Sequence, residues 1–149
     1  MMLRHLIAGR RSFVRRLLAA GFLAAAGGAA IAADAFPFDQ ELLLDAAPMR
    51  PGKRMPTLTV APDGKATIDL WCKSVSARIE VADGSLKIEP GALPESLPEM
   101  QGAGQCSPAR MQADETLLAA LAQVTAWQNT NGTLVMTGPS RMTFRPATN

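Results

Sequence analysis

Alternation of apolar and polar residues, interrupted by short turns, constrains the fold of this chain more than any other feature. Within residues 57–71 the alternation reverses at Pro62-Asp63-Gly64, and within residues 77–89 it reverses at Asp83-Gly84. Residues that alternate with period two place one face of a strand against apolar neighbours and the other in water. A turn that contains Asp and Gly between two such runs is typical of a β-hairpin. These stretches therefore predict two antiparallel hairpins.

The C-terminal part of the chain predicts a third hairpin and further strands. The third hairpin comprises 133–137 and 141–145, on either side of the turn Gly138-Pro139-Ser140. Weaker patterns predict one strand at 41–45 and another at 124–128, before a turn at 129–132. All of these strands are short and follow one another closely, which favours an antiparallel sheet.

One amphipathic helix is predicted after residue 106. Ser107 is a suitable N-cap and Pro108 suits the first helical position. Asp114 and Glu115 lie in an early turn, where acidic side chains favour the helix dipole. Apolar residues then follow at helical spacing: Met111, Leu117, Leu118, Leu121 and Val124. The predicted fold is α+β, a curved antiparallel sheet made of hairpins with this one helix packed over its apolar face.

The first 32 residues have the composition of a cleavable export leader. An arginine-rich head without acids precedes an uncharged, Ala/Gly-rich run that ends at Ala33. Ala30 with Ala32, and Ala33 with Ala35, form two candidate peptidase sites of the small-x-small type. The apolar run is shorter than the roughly 20 residues that span a bilayer. We therefore predict a signal peptide at 1–32, cleaved after Ala32 or Ala35, that contacts the membrane only before cleavage.

The leader also contains a paired-arginine motif. Arg10 and Arg11 are followed by Ser12, Phe13 and Val14, an order that resembles the twin-arginine export signal. An ordinary secretory leader with an arginine-rich head is the alternative. Because no cysteine lies at the cleavage site, a lipoprotein is not expected. The predicted product is a soluble periplasmic protein with a single domain at 33–149.

Removing the leader reverses the charge of the chain. Five of the 15 lysines and arginines lie in the leader and none of the 13 acids, so the remainder carries a net charge of −3. This removes the electrostatic basis for a nucleic-acid partner. The one histidine, His5, is lost as well, and the chain has no tyrosine. Catalytic histidine triads and histidine metal sites are thereby excluded from the mature protein.

The remaining domain has two cysteines, Cys72 and Cys106. In an oxidising compartment an isolated pair usually forms a disulfide bond. This bond would close a loop of about 35 residues and stabilise the fold by roughly 3–4 kcal/mol. Two alternatives are a reactive thiol, since Cys106 lies near a helix N-terminus that lowers a thiol pKa, and a metal ligand.

The order of strands, loop, cysteine, helix and final hairpin over residues 41–145 resembles the META domain family, the group that includes the bacterial heat-shock protein HslJ. Cys72 lies where this family often has Gly-Cys-Asn, although Trp71 and Lys73 flank it here. The other matching positions are mostly apolar: Cys106, Glu115, Leu117, Leu118, Leu121, Val124, Gly132, Leu134, Met136, Met142 and Phe144. The resemblance implies a compact α+β domain without assigned catalytic residues, loosely linked to envelope stress, drug resistance and secretion or motility.

We therefore expect a non-enzymatic envelope protein that acts through a protein or ligand interaction, with a role in stress or resistance. A periplasmic carrier of an apolar ligand or lipid is the alternative. No cofactor or metal ion is expected. The candidate contacts for a partner are Trp71, which breaks the alternation of its strand, and a basic loop that contains Arg50, Lys53 and Arg54.

Overall fold

The structure is a computed structural model that describes residues 34–50, 54–95 and 106–148 of the 149-residue chain. Within these ranges the chain forms eight strands and one helix. In chain order they are β1 (Leu42–Leu44), β2 (Thr57–Val60), β3 (Lys65–Asp69), β4 (Ser74–Ala82), β5 (Ser85–Pro90), α1 (Pro108–Leu121), β6 (Ala126–Thr130), β7 (Thr133–Thr137) and β8 (Arg141–Pro146).

The three hairpins predicted from alternation are present. β2 pairs with β3, β4 with β5 and β7 with β8, all antiparallel. The predicted strand at 41–45 is β1, and the one predicted at 124–128 begins two residues later as β6. β3 ends at Asp69, so Trp71 follows the strand and does not lie on its polar face.

The open sheet predicted from the sequence is wrong, because the strands close into a barrel. Each strand pairs with its neighbours in the chain, and β1 also pairs with β8 in the register Leu42↔Pro146 and Leu44↔Phe144. Closure lets the apolar faces of opposite strands cover one another, so the sheet does not need a helix as its cover. An eight-stranded barrel is narrow enough for side chains to fill it.

The buried side chains of the strands form the core of this barrel. The apolar ones come from every strand except β6: Leu42, Leu44, Leu58, Val60, Ala66, Ile68, Val75, Ile79, Leu86, Ile88, Leu134, Met136, Met142 and Phe144. Helix α1 buries only four residues, Arg110, Asp114, Leu117 and Leu121. In the ranges that the structure describes, no helix combines the length and apolar character needed to cross a bilayer.

The barrel is paired most sparsely between β5 and β6. These strands share one register position, Ser85↔Ala126. Two main-chain hydrogen bonds flank it, from Leu86 N to the Thr125 oxygen at 3.1 Å and from Trp127 N to the Gly84 oxygen at 3.2 Å. Helix α1 lies between these strands in the sequence and packs against β5.

Two turn glycines allow a matched test of the β-hairpins. Gly64 and Gly84 have φ angles of 82° and 70°, which only glycine adopts readily. A Cβ atom on Gly64 would lie 2.6 Å from the Ile79 carbonyl oxygen, whereas one on Gly84 would contact nothing within 4 Å. We expect Gly84→Ala to lower the free energy of unfolding by about 1–2 kcal/mol. Gly64→Ala should cost roughly 1–3 kcal/mol more, because the new methyl group also overlaps the backbone.

Urea unfolding of the two variants measures this difference. Equal losses for Gly64→Ala and Gly84→Ala would show that the close approach of Gly64 to β4 does not constrain the hairpin.

Candidate functional site

Side chains of helix α1 bind the main chain of the bend Trp71-Cys72-Lys73 between β3 and β4, which we call the corner. It lies against the first turns of helix α1. Ser107 caps this helix by accepting a hydrogen bond from Arg110 N at 3.4 Å, and Pro108 is its first residue, as predicted. The capped helix start therefore sets the position of the side chains that hold the corner.

Asp114 binds the main chain of the corner. Its Oδ2 atom accepts hydrogen bonds from Cys72 N at 3.1 Å and Lys73 N at 3.0 Å. The residue is fully buried. Burial raises the pKa of the Asp114 carboxyl, and the N–H groups of Cys72, Lys73 and Trp71 oppose that increase. A buried carboxyl with these partners fixes a loop in place.

Arg110 binds a carbonyl group of the same corner. Its Nη2 atom donates a 2.6 Å hydrogen bond to the Trp71 carbonyl oxygen, and the residue is 1% exposed. The helix thus supplies a donor for the carbonyl group and an acceptor for the N–H groups of one bend. This pairing satisfies main-chain polar groups that would otherwise be buried without partners.

The prediction that Asp114 chiefly favours the helix dipole is wrong, because its carboxyl is buried against the corner. The sequence interpretation also missed Arg110. A signal existed: Arg110, Asp114, Leu117 and Leu121 are spaced by four, three and four residues, so they share one helical face. Two charged residues on the buried face of a helix predict that the neighbouring segment offers polar groups to bind them.

Cys72 of the corner contacts the second cysteine, Cys106. Both are buried and carry thiols, and the Cys72 thiol forms a hydrogen bond with Cys106. Burial raises the pKa of Cys72 to about 12, and the contact with Cys106 adds to that increase. A thiol with this pKa is protonated at neutral pH and is a weak nucleophile. The contact supports the predicted disulfide, which stays a prediction.

The structure describes three of the four candidate partner contacts, Trp71, Arg50 and Arg54. Trp71 is 9% exposed and belongs to the core. Arg54 donates to Asp69 at 2.8 Å and to the Ser74 hydroxyl at 3.0 Å. Arg50 is exposed, and Lys53 lies outside the described residues, as do Arg10 and Arg11 of the leader.

A shallow apolar groove lies along helix α1 next to the corner. Trp71 and Met142 of β8 contribute to its lining. The helix provides the remaining lining residues: Ala109, Gln112, Ala113, Thr116, Leu117 and Ala120. Trp127 is partly buried against the same core that contains Trp71, and its ring packs edge-on against Phe36 at 5.1 Å.

The acidic and thiol side chains do not form a metal centre in the part of the chain that the structure describes. There, no three residues of the His, Cys, Asp and Glu types converge on one point. Neither a curated protein nor a solved structure matches the sequence. A family model described as the META domain matches residues 40–148, which comprise all eight strands and the helix. On this match over most of its length, the chain belongs to the META domain family.

Proposed function

We propose that this chain is an exported, non-enzymatic envelope protein whose META domain acts through a protein interaction, in a stress or resistance response. The proposal rests mainly on what the buried charged side chains bind. Among the described residues these are Arg110 and Asp114, and both are bound to the main chain of the corner. These two buried charged groups therefore stabilise the fold.

Acid–base catalysis requires a titratable group that reaches the substrate and has a pKa near the working pH. Asp114 is sealed from solvent, and the Cys72 thiol has a pKa of about 12. The predicted mature chain contains no histidine. These three features support an interaction role over a catalytic one.

The alternative, a carrier of an apolar ligand, has less support. A carrier of this fold would hold its ligand inside the barrel. Here the interior is occupied by large side chains such as Leu58, Met136 and Phe144, each at most 2% exposed. The outer surface is therefore the better candidate for recognition.

Complementation of a deletion strain under envelope stress tests the proposal. We expect the wild-type chain to restore growth and the Arg10→Lys/Arg11→Lys variant to fail, because it is not exported. Conservative changes of exposed polar residues, such as Ser74→Ala and Glu115→Gln, should restore growth fully.

Protein abundance, measured by immunoblot, is the control for each variant. Growth restored by the Arg10→Lys/Arg11→Lys variant, with its precursor found only in the cytoplasmic fraction, would contradict a role that requires export. A conservative change that abolishes growth and also abolishes turnover of a substrate by the purified protein, at unchanged abundance, would contradict the non-enzymatic role.

A further inference from the structure

A two-residue turn, Asn131-Gly132, closes the hairpin of β6 and β7, and Thr130 pairs with Thr133 at its base. The φ angles are 52° at Asn131 and 76° at Gly132. Positive φ angles at both positions are typical of an Asn-Gly hairpin turn. Asn131 is exposed, and within the described residues its side-chain amide forms no hydrogen bond. The turn therefore presents an unpaired amide to solvent.

A glycine after an asparagine favours attack of the main chain on the asparagine side chain. The nitrogen atom of the following residue bonds to the side-chain carbonyl carbon and closes a succinimide ring. Glycine has no Cβ atom to crowd this approach, whereas a β-branched residue crowds it. Among the described residues Gly132 N donates to no main-chain acceptor. Ring closure at Asn131 therefore does not have to break a main-chain hydrogen bond of Gly132.

The same turn holds a short arm, residues 34–36. Asn131 N donates a 2.8 Å hydrogen bond to the Asp34 carboxylate. Strand β6 binds the arm as well, because Asp34 N donates to the Asn129 carbonyl oxygen at 2.9 Å and Asn129 Nδ2 donates to the Ala35 carbonyl oxygen at 2.8 Å. The residue with the exposed amide is thus also the residue whose main chain binds a carboxylate of the arm.

We propose that Asn131 is a site of spontaneous deamidation, and that the charge it gains loosens the arm. Gly132 N bonds to Asn131 Cγ, the Cγ–Nδ2 bond breaks, and the side-chain nitrogen leaves as ammonia with the proton of Gly132 N. Water then opens the succinimide at either of its carbonyl groups. One opening gives aspartate, and the other gives isoaspartate, whose main chain runs through the side-chain carbon atoms.

Deamidation would weaken the contact between the turn and the arm. It places a negative charge on the residue that binds the Asp34 carboxylate, and like charges at this range repel. Arg145 lines the same open concavity as Asn131, but its guanidinium group is bound to Asp45. Isoaspartate also adds a carbon atom to the main chain of the turn, which displaces the N–H group that binds Asp34.

Ageing of the purified protein in mildly alkaline buffer tests the modification. Peptide mapping by mass spectrometry, compared with unaged protein, detects replacement of the side-chain NH2 group by OH. Asn129 is the internal control, because it is 5% exposed, donates to Ala35 and precedes the β-branched Thr130. We expect Asn131 to react at least about tenfold faster than Asn129. Equal rates at the two asparagines would overturn the proposal.

Asn131→Gln is the matched variant for the reacting side chain. Glutamine keeps an exposed amide but must close a larger ring, so this variant should keep its original mass during ageing. A variant that gains mass as fast as the wild type would place the reaction at another residue and overturn the assignment of Asn131.

Asn131→Asp introduces the charge without ageing and tests the effect on the arm. Hydrogen exchange at low salt should be about fivefold faster at the N–H groups of residues 34 and 131 than in the wild type. Added salt should reduce this difference. In an Asp34→Asn background, which keeps a side-chain acceptor without the charge, Asn131→Asp should have no such effect. Exchange equal to that of the wild type in Asn131→Asp would overturn the proposed loosening of the arm.

Discussion

Replacing Asp114 with alanine should lower the free energy of unfolding by about 3–5 kcal/mol, the usual effect of removing one partner from a buried polar network. The N–H groups of Cys72 and Lys73 lose their acceptor, and each buried donor left without one costs about 1–3 kcal/mol. Urea unfolding of reduced protein at pH 7, followed by circular dichroism, measures the loss.

Glu115→Ala is the matched control, because Glu115 adjoins Asp114 on the same helix and is exposed. Its replacement should change stability by less than about 0.5 kcal/mol. Similar losses for the two variants would show that the hydrogen bonds to the corner contribute little.

The pH dependence of Asp114→Ala provides a second check. Burial raises the pKa of Asp114, so the folded protein keeps a proton that the unfolded chain releases above its ordinary value near 3.8. This group therefore makes stability fall as the pH rises between that value and the raised one. Because the alanine variant lacks the titration, the stability gap between it and the wild type should be larger at the acidic end of this interval. A gap that widens as the pH rises would reverse the sign assigned to the shift.

Forming the bond between Cys72 and Cys106 should stabilise the domain by roughly 3–4 kcal/mol, the value for a loop of about 35 residues. Formation removes two protons and two electrons from the thiols, and the disulfide of a thiol–disulfide oxidoreductase accepts the electrons. Against a typical stability of about 5–15 kcal/mol, this contribution is large. A reducing agent should lower the stability of the bridged protein by that amount and leave a Cys72→Ala/Cys106→Ala variant unchanged.

Intact mass and alkylation give a direct test of the bond. Protein produced in an oxidising compartment and kept unreduced should weigh two hydrogens less than the dithiol form and resist iodoacetamide. In the reduced protein the raised pKa of Cys72 makes stability fall as the pH rises from about 9, the ordinary value, to about 12, whereas the bridged protein has no such titration. Alkylation of both cysteines in unreduced denatured protein would contradict the bond.

Local structure was predictable from the sequence and closure of the sheet was not. The hairpins follow from alternation and turn residues, which act over about ten positions. Pairing of β1 with β8 joins Leu42 to Pro146, and neither stretch contains a residue that specifies the other. Both an open sheet under a helix and a closed barrel bury the same apolar face, so the alternation fits either.

The candidate site was also predictable only in its local features. Ser107 and Pro108 were predictable because caps depend on adjacent residues. The role of Asp114 depends on main-chain groups 41 and 42 positions away, at Lys73 and Cys72. The helical spacing places Asp114 on the buried stripe, but the sequence does not show that the N–H groups of the corner face it.

The pairing of the first and last strands also brings the ends of the domain together. Ala147 N donates a 2.8 Å hydrogen bond to the Glu41 carbonyl oxygen, and Arg145 binds the Asp45 carboxylate. An exopeptidase that trims as far as Glu41 from one side, or as far as Ala147 from the other, removes a partner from the same β1–β8 seam. A short linker between these two positions, with new termini opened in another turn, would yield a circularly permuted chain in which that seam is covalently joined.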